Sequence, residues 1–317
     1  MPGPAVWELM LGGLPWNWEP WILASLGLAL FLYFLGLCRI PENPRAHLFG
    51  TVRCLSFTAG IAILFAALIS PLDALDDQLF SAHMAQHLVL IMVAPPLLVA
   101  GHPSIAWLWA FPLPIRRALG RFWIATGLRG AVHALMSPVV VWTLCSAALW
   151  FWHLPGPYGW ALANEFVHAV EHLCFFVTSL MFWSLVFEPV GRSRRLGYAG
   201  ALLFVATFGI ENGLLGALLT FSGRPLYQAY LPTTAAWGLT PLEDQQIGGL
   251  GMWIPASLIH LTTLGVLLVA WLRSTENQAT PVSRLSPFPR IGSGGDKFAY
   301  STLSEPRNAP LDRPAAE

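Results

Sequence analysis

The chain has 317 residues, of which 55% are hydrophobic and only 11% are charged, less than half the charged share of an average soluble domain. Its formal net charge is zero, so nothing in the composition indicates a nucleic-acid-binding surface. The four cysteines lack the paired spacing of a Cys-x-x-Cys metal site and form no recognisable disulfide framework.

Seven apolar stretches are long enough to cross a bilayer as helices, which takes about 20 residues. They are 20–38, 50–69, 81–100, 136–153, 164–187, 198–220 and 248–272. Residues 2–19 contain no Lys or Arg, so no basic signal-peptide segment precedes the first stretch, and we expect it to be retained as a span. The pattern predicts an all-α polytopic membrane protein, a seven-helix bundle over 20–272 with a short segment 1–19 before it and a tail 273–317 after it.

The distribution of Lys and Arg predicts the orientation. Sixteen of the 17 lie in the first, third and fifth loops and in the tail, and only Arg224 lies in the others. The positive-inside rule therefore places the amino terminus outside and the carboxyl terminus in the cytoplasm. The tail is rich in Pro, Ser and Gly without apolar periodicity, and we expect it to be disordered.

Histidines gather near one end of three predicted spans. In the predicted orientation, five of the nine lie in the outer leaflet: His83, His87, His153, His168 and His172. Within spans 3 and 5 the histidines are four residues apart, so each pair shares a helix face. Such a face is costly toward lipid and should point into the bundle. The two pairs could supply four nitrogens to one metal ion, with His153 as a gate or fifth ligand.

The side chains at this depth favour copper or zinc. Imidazole binds both metals, and thioether sulfur favours Cu(I). Met84 and Met252 lie at a similar height and are possible further ligands, although packing in the core is the alternative for both. A structural hydrogen bond to a neighbouring helix is the alternative for any single histidine.

A second polar layer lies nearer the bilayer midplane. Glu211 in span 6 should be protonated or paired there, with Glu171 or His260 as its partner. This layer indicates either a structural interhelical hydrogen bond or a role in proton balance or ion passage.

The predicted outer loop 221–247 ends in polar residues just before span 7: Glu243, Asp244, Gln245 and Gln246. They could form a cation-attracting rim above the histidines. They could equally be a capping segment that positions span 7.

Three other uses of the histidines stay open. A single haem could bridge spans 3 and 5, whereas the histidine pairs are too closely spaced for two stacked haems. Residues 168–172, "HAVEH", match the H-x-x-E-H pattern of some zinc peptidases, so an intramembrane zinc hydrolase with Glu171 as its catalytic residue is an alternative. A metal-free assembly scaffold is the third.

Four motifs together resemble the membrane-integral CtaG family of cytochrome c oxidase assembly factors, associated with caa3-type oxidases. They are "HMAQHLVLIMVAPPLLVAGHP" (83–103), "WFWHLPGPY" (150–158), "HAVEHLCFF" (168–176) and "LTPLEDQQIGGLGMW" (239–253). The resemblance covers about residues 20–272. It implies a non-enzymatic protein of the bacterial plasma membrane that helps a haem-copper oxidase mature by binding or delivering copper.

The same resemblance implies which residues act and with what. The family's histidine motifs fall on His83, His87, His153, His168 and His172, and its acidic-amide motif falls on Asp244, Gln245 and Gln246. The implied partners are oxidase subunits, with an outer-side copper carrier as a further candidate.

Overall fold

The computed structural model describes residues 16–43, 48–187 and 196–279, and every regular element in these ranges is helical. The helices are α1 (Pro20–Arg39), α2 (Thr51–Ile69), α3 (Pro71–Asp76), α4 (Phe80–Leu88), α5 (Ala94–Ala100), α6 (Pro103–Trp109), α7 (Leu113–Ala125), α8 (Leu128–Leu135), α9 (Pro138–Trp152), α10 (Pro155–Ala163), α11 (Glu165–Val186), α12 (Tyr198–Thr220) and α13 (Pro241–Ala279). The predicted all-α class is confirmed. Most of the predicted tail, from residue 280 onward, and most of segment 1–19 lie outside the described residues.

The described helices have the number and length of a polytopic membrane protein. Six are long and apolar enough to cross a membrane on their own, counting Phe80–Ala100 as one, and the pair α8 and α9, bent by 61°, makes a seventh if taken together. The helix that contains the last predicted span is longer than the apolar stretch itself: α13 begins at Pro241, before 248, and continues past 272 to Ala279. Large apolar side chains on the outward faces, such as Leu28, Ile210 and Val266, are exposed, as lipid contact requires.

The third span changes its helical geometry just after its histidines. Helix α4 ends at Leu88, a π-helical turn covers Val89–Val93, and α5 begins at Ala94. Pro95 and Pro96 follow at once. Because proline has no backbone N–H, carbonyl groups one turn earlier lose their helical partner.

One of these carbonyls ties span 3 to span 5. The Ser179 hydroxyl and the Trp183 indole N–H, both on α11, donate hydrogen bonds to the carbonyl oxygen of Ile91, each at 3.0 Å. This contact sets the register between the helix that carries His83 and His87 and the helix that carries the second histidine pair.

A second proline has the same effect at the end of α2. Pro71 cannot donate to the carbonyl of Ala67, and the Gln86 side chain of α4 donates to that oxygen instead at 2.9 Å. Gln86 also donates to the Asp73 carboxylate at 2.9 Å, and Asn17 donates to the same carboxylate at 2.7 Å. The short helix α3 is thereby fixed against α4, close to the histidines.

We expect the double substitution Ser179→Ala with Trp183→Phe to lower the free energy of unfolding in detergent by about 1–3 kcal/mol, because it leaves the Ile91 carbonyl unpaired in an apolar interior. Chemical denaturation of the purified chain would measure it. Ser184→Ala is the control, since among the described residues the Ser184 hydroxyl bonds to its own helix, at Leu180. Equal stability of the double variant and the control would contradict this account.

Candidate metal centre

Five histidine side chains meet at one end of the bundle, and we call them the histidine cluster: His83 and His87 on α4, His153 at the end of α9, and His168 and His172 on α11. The Nε2 atoms of His83 and His87 are 2.9 Å apart. Ring centroids are separated by 4.1 Å for His168 and His172, 5.1 Å for His83 and His168, 5.4 Å for His87 and His172, and 5.8 Å for His87 and His153. All the histidines that the sequence placed in the outer leaflet are therefore neighbours.

His83, His87 and His153 are buried, His168 and His172 are half-buried, and much of the cluster's hydrogen-bonding capacity is unused. His83 and His87 are at most 1% exposed. Among the described residues, each histidine has one buried ring nitrogen without a hydrogen-bond partner: Nδ1 of His83 and of His87, and Nε2 of His153, His168 and His172. Leaving a buried polar atom unpaired costs about 1–3 kcal/mol, and native structures leave few. Several at one place indicate a site built for a ligand.

Glu171 lies inside the cluster and is also unpaired. It is fully buried, neither carboxylate oxygen has a hydrogen-bond partner in the described chain, and the oxygens lie 3.8 Å from His83 Nε2 and 3.6 Å from His87 Nε2. A carboxylate in such surroundings needs a positive partner. A bound cation, or a proton, would supply it.

Two groups of side chains have the spacing that a metal ion requires. In the first, His83, His87 and Glu171 hold their ligand atoms within 4.8 Å of one another; in the second, His83, His168 and His172 do the same. Ligands bound to one ion at about 2.0–2.2 Å lie no more than about 4.4 Å apart, so small side-chain adjustments would suffice. The residues fit a transition metal, and His83 belongs to both groups.

Asp76 lies beside the histidine cluster and outside both ligand groups, and sequence reasoning did not select it. It ends α3, is 2% exposed, and places an unpaired Oδ2 3.7 Å from Nε2 of His168. Burial raises the pKa of Asp76 to about 8, and the nearby carboxylates of Asp73 and Asp77 add to this. Its only signal in the sequence was an acidic loop, with no spacing that tied it to a histidine.

A layer of tyrosines packs beside the cluster. Tyr158 of α10 lies against His83, with ring centroids 5.1 Å apart, and its hydroxyl is 2.7 Å from that of Tyr230. Tyr230 donates to the backbone carbonyl of Asp76, and the Tyr227 hydroxyl donates to the carbonyl of His153. All three rings are buried, so they shield this side of the cluster from water.

Asp244 supplies the N-terminal cap that α4 lacks. No side chain of the preceding residue caps this helix. The Asp244 carboxylate instead accepts hydrogen bonds from the backbone N–H groups of Phe80 and Ser81, at 2.7 and 3.1 Å, and from the Ser81 hydroxyl at 2.5 Å. Its contacts therefore match the capping interpretation, although the helix it caps belongs to span 3.

The other polar residues of this motif also lie in the first turns of α13 and not in a loop. Gln245 accepts a hydrogen bond from the N–H of Leu226 and donates one to the carbonyl of Leu219, which joins α13 to the preceding connection. Gln246 is half-buried, while Glu243 is exposed and bonds to Thr240. Asp244 and Gln245 of this motif therefore join α13 to neighbouring parts of the bundle.

The second polar layer differs from the prediction. Glu211 accepts a hydrogen bond from the Ser146 hydroxyl of α9 at 2.6 Å, so its partner is neither Glu171 nor His260. His260 is buried, and its Nδ1 lies 2.8 Å from the carbonyl of Ala256 in its own helix.

The two methionines lie in the apolar core. Met84 is 0% and Met252 is 3% exposed, and both belong to the main hydrophobic cluster of the bundle. This burial is what packing requires, and their role as metal ligands stays a prediction.

These observations define a class: a polytopic helical membrane protein with a buried histidine-carboxylate cluster that fits a transition metal. The model of the cytochrome c oxidase caa3 assembly factor family, Caa3_CtaG, matches residues 31–274. The chain belongs to this family, which confirms the resemblance seen in its motifs.

Curated relatives extend beyond the length of this chain. It is 27% identical over 281 residues to uncharacterised proteins of Mycobacterium bovis and Mycobacterium tuberculosis, and 24% identical over 276 residues to one of Mycobacterium leprae. Each alignment covers 85% of this chain but only 41% of the relative, so the chain spans about two fifths of their length. No solved structure matches.

We expect Asp244→Ala to lower the free energy of unfolding by about 2 kcal/mol, because it leaves the first amides of α4 without a partner. Thermal unfolding in detergent would measure the loss. Asp244→Asn keeps one acceptor and should lose less, and Glu243→Ala, at an exposed neighbouring carboxylate, should lose least. Wild-type stability of Asp244→Ala would show that the cap does not stabilise α4.

Proposed function

We propose that this protein acts in cytochrome c oxidase maturation by binding copper at the histidine cluster and passing it to an oxidase subunit. Membership of the assembly-factor family supports the oxidase part of the proposal. The observation that carries the copper part is the convergence of five imidazoles, three of them buried, with Glu171: each imidazole has a buried ring nitrogen, and Glu171 has two carboxylate oxygens, without a partner in the described chain. Binding, rather than catalysis, is the activity that this arrangement favours.

The donor set suits copper. Imidazole nitrogens bind copper and zinc well, and a carboxylate adds a charged oxygen ligand. The Nε2 atoms of His83 and His87 lie within hydrogen-bonding distance, and binding of an ion to both Nε2 atoms would require each neutral ring to carry its proton on Nδ1. Because His83 belongs to both ligand groups, copper could exchange between them while keeping one ligand throughout.

The proposal places the protein in the bacterial plasma membrane with the histidine cluster toward the outside. The alternation of Lys and Arg between loops supports this orientation. Oxidase subunits would receive the copper, and an outer-side copper carrier would supply it.

We expect protein purified from copper-fed cells to contain near-stoichiometric copper, and His83→Ala with His87→Ala to lose it, because that pair removes ligands from both groups. Metal content by mass spectrometry is the measurement. His260→Gln is the matched control: it changes a buried intramembrane histidine outside the cluster and should leave copper unchanged. Zinc in place of copper would favour the hydrolase, and no metal in the wild-type chain would leave a scaffold.

Substitution of Glu171 distinguishes the copper-binding proposal from the zinc-hydrolase alternative. If Glu171 is a metal ligand, its replacement by Gln should weaken metal affinity by at least about 10- to 100-fold, the loss typical even of residues that only support a ligand. Titration against a competing chelator would measure it. If Glu171 is instead the catalytic residue of a zinc hydrolase, the same substitution would leave the metal affinity unchanged. Glu211→Gln, at the carboxyl group paired with Ser146, is the control and should have wild-type affinity.

A further inference from the structure

A cavity of about 900 Å³ lies beside the histidine cluster, between α1, α2, α3 and α11. His168 and His172 line it, together with five carboxylate side chains: Glu19, Asp73, Asp76, Asp77 and Glu165. No Lys or Arg is among the described residues that line it. A concave surface with one sign of charge concentrates ions of the opposite sign.

The five carboxylates that line the cavity differ in how deeply they are buried. Glu19, Asp77 and Glu165 are exposed, whereas Asp73 is half-buried and already accepts hydrogen bonds from Asn17 and Gln86. Asp76 is 2% exposed and retains an unpaired oxygen. The exposed carboxylates can attract a cation, and the buried one has a free lone pair with which to bind it.

We propose that this cavity is the route by which a metal cation enters, and that Asp76 and His168 form a first binding position along it, from which the ion passes to His83 and His172. This inference rests on the proposed function, since it assumes that the histidine cluster binds metal. It adds a second, transient site and the direction of loading.

The distances support a short relay. Asp76 Oδ2 and His168 Nε2 are 3.7 Å apart, within the roughly 3.3–4.4 Å that separates two ligands of one ion bound at about 2.0–2.2 Å. Both atoms lack a hydrogen-bond partner in the described chain. The His168 ring is then 4.1 Å from that of His172 and 5.1 Å from that of His83. A paired carboxylate and imidazole suit a divalent ion such as Cu²⁺ or Zn²⁺.

Much of the remaining cavity wall is apolar, so the proposed route ends at the histidines. Leu26, Leu64, Leu90 and Phe176 line it and offer no ligand atom. Asn17 and Ser25 also line the cavity but offer only a neutral amide and a hydroxyl. Among the described lining residues, a cation that passes Asp76 therefore finds its strongest ligands at His168 and His172.

The test measures the rate at which Cu²⁺ binds and, separately, the final amount of Cu²⁺ bound. Metal-free full-length protein in detergent is mixed rapidly with Cu²⁺, and the Cu²⁺ absorption and electron paramagnetic resonance signals are followed to completion. We expect Asp76→Asn, which keeps the side-chain shape, to load about tenfold more slowly and to reach the wild-type amount and spectrum. We expect Asp77→Asn with Glu165→Gln to load several-fold more slowly and to lose most of the salt dependence of the rate.

Glu243→Gln is the matched control, because Glu243 is an exposed carboxylate at the same end of the bundle that does not line the cavity. It should load at the wild-type rate. Wild-type loading rates in both cavity variants would overturn the entry route while leaving the copper site intact. A wild-type chain that binds no Cu²⁺ would overturn the proposed function and the route together. Asp77→Asn with Glu165→Gln changes only exposed side chains, so it tests the route even if Asp76→Asn fails to fold.

Discussion

The structure depends on one constraint of its apolar surroundings. Because no water is available there, a buried polar group needs a partner within the protein. Pro71, just after span 2, and Pro95, within span 3, free the carbonyls of Ala67 and Ile91, and side chains from other helices pair with both. Glu211 is likewise paired with Ser146. Against this background, the concentration of unpaired nitrogens and carboxylate oxygens at one end of the bundle stands apart from the few unpaired buried atoms elsewhere in the described chain, and the proposed metal site rests on it.

The position of this cluster follows from how α4 is held. At its first turn, Asp244 of the last span accepts the backbone N–H groups of Phe80 and Ser81. Beyond its last turn, the Ile91 carbonyl is bonded to span 5. His83 and His87 lie between these two attachments. A centre that must keep several imidazoles within a few ångströms needs such support, because ligand geometry is only as fixed as the helices that carry it.

The acidic helix α3 links the exposed end of the bundle to the buried cluster. Its last residue, Asp76, is bonded through its backbone carbonyl to Tyr230 and faces His168 through its side chain. Asp73, one turn earlier, is fixed by Asn17 and Gln86. Rigid placement of α3 therefore serves two purposes: it keeps carboxylates beside the cavity, and it brings one of them to the histidines.

The helical class, the approximate positions of the spans and the two histidine pairs were predictable from the sequence, because apolar length and four-residue spacing are local properties of a helix. The family motifs were equally readable from it. Only the tertiary structure decided that Asp76 faces His168, that Asp244 caps another span, and that Glu211 pairs with Ser146. Those contacts join residues far apart in the chain, and they depend on the rotation and register of packed helices, which no periodicity along one helix specifies.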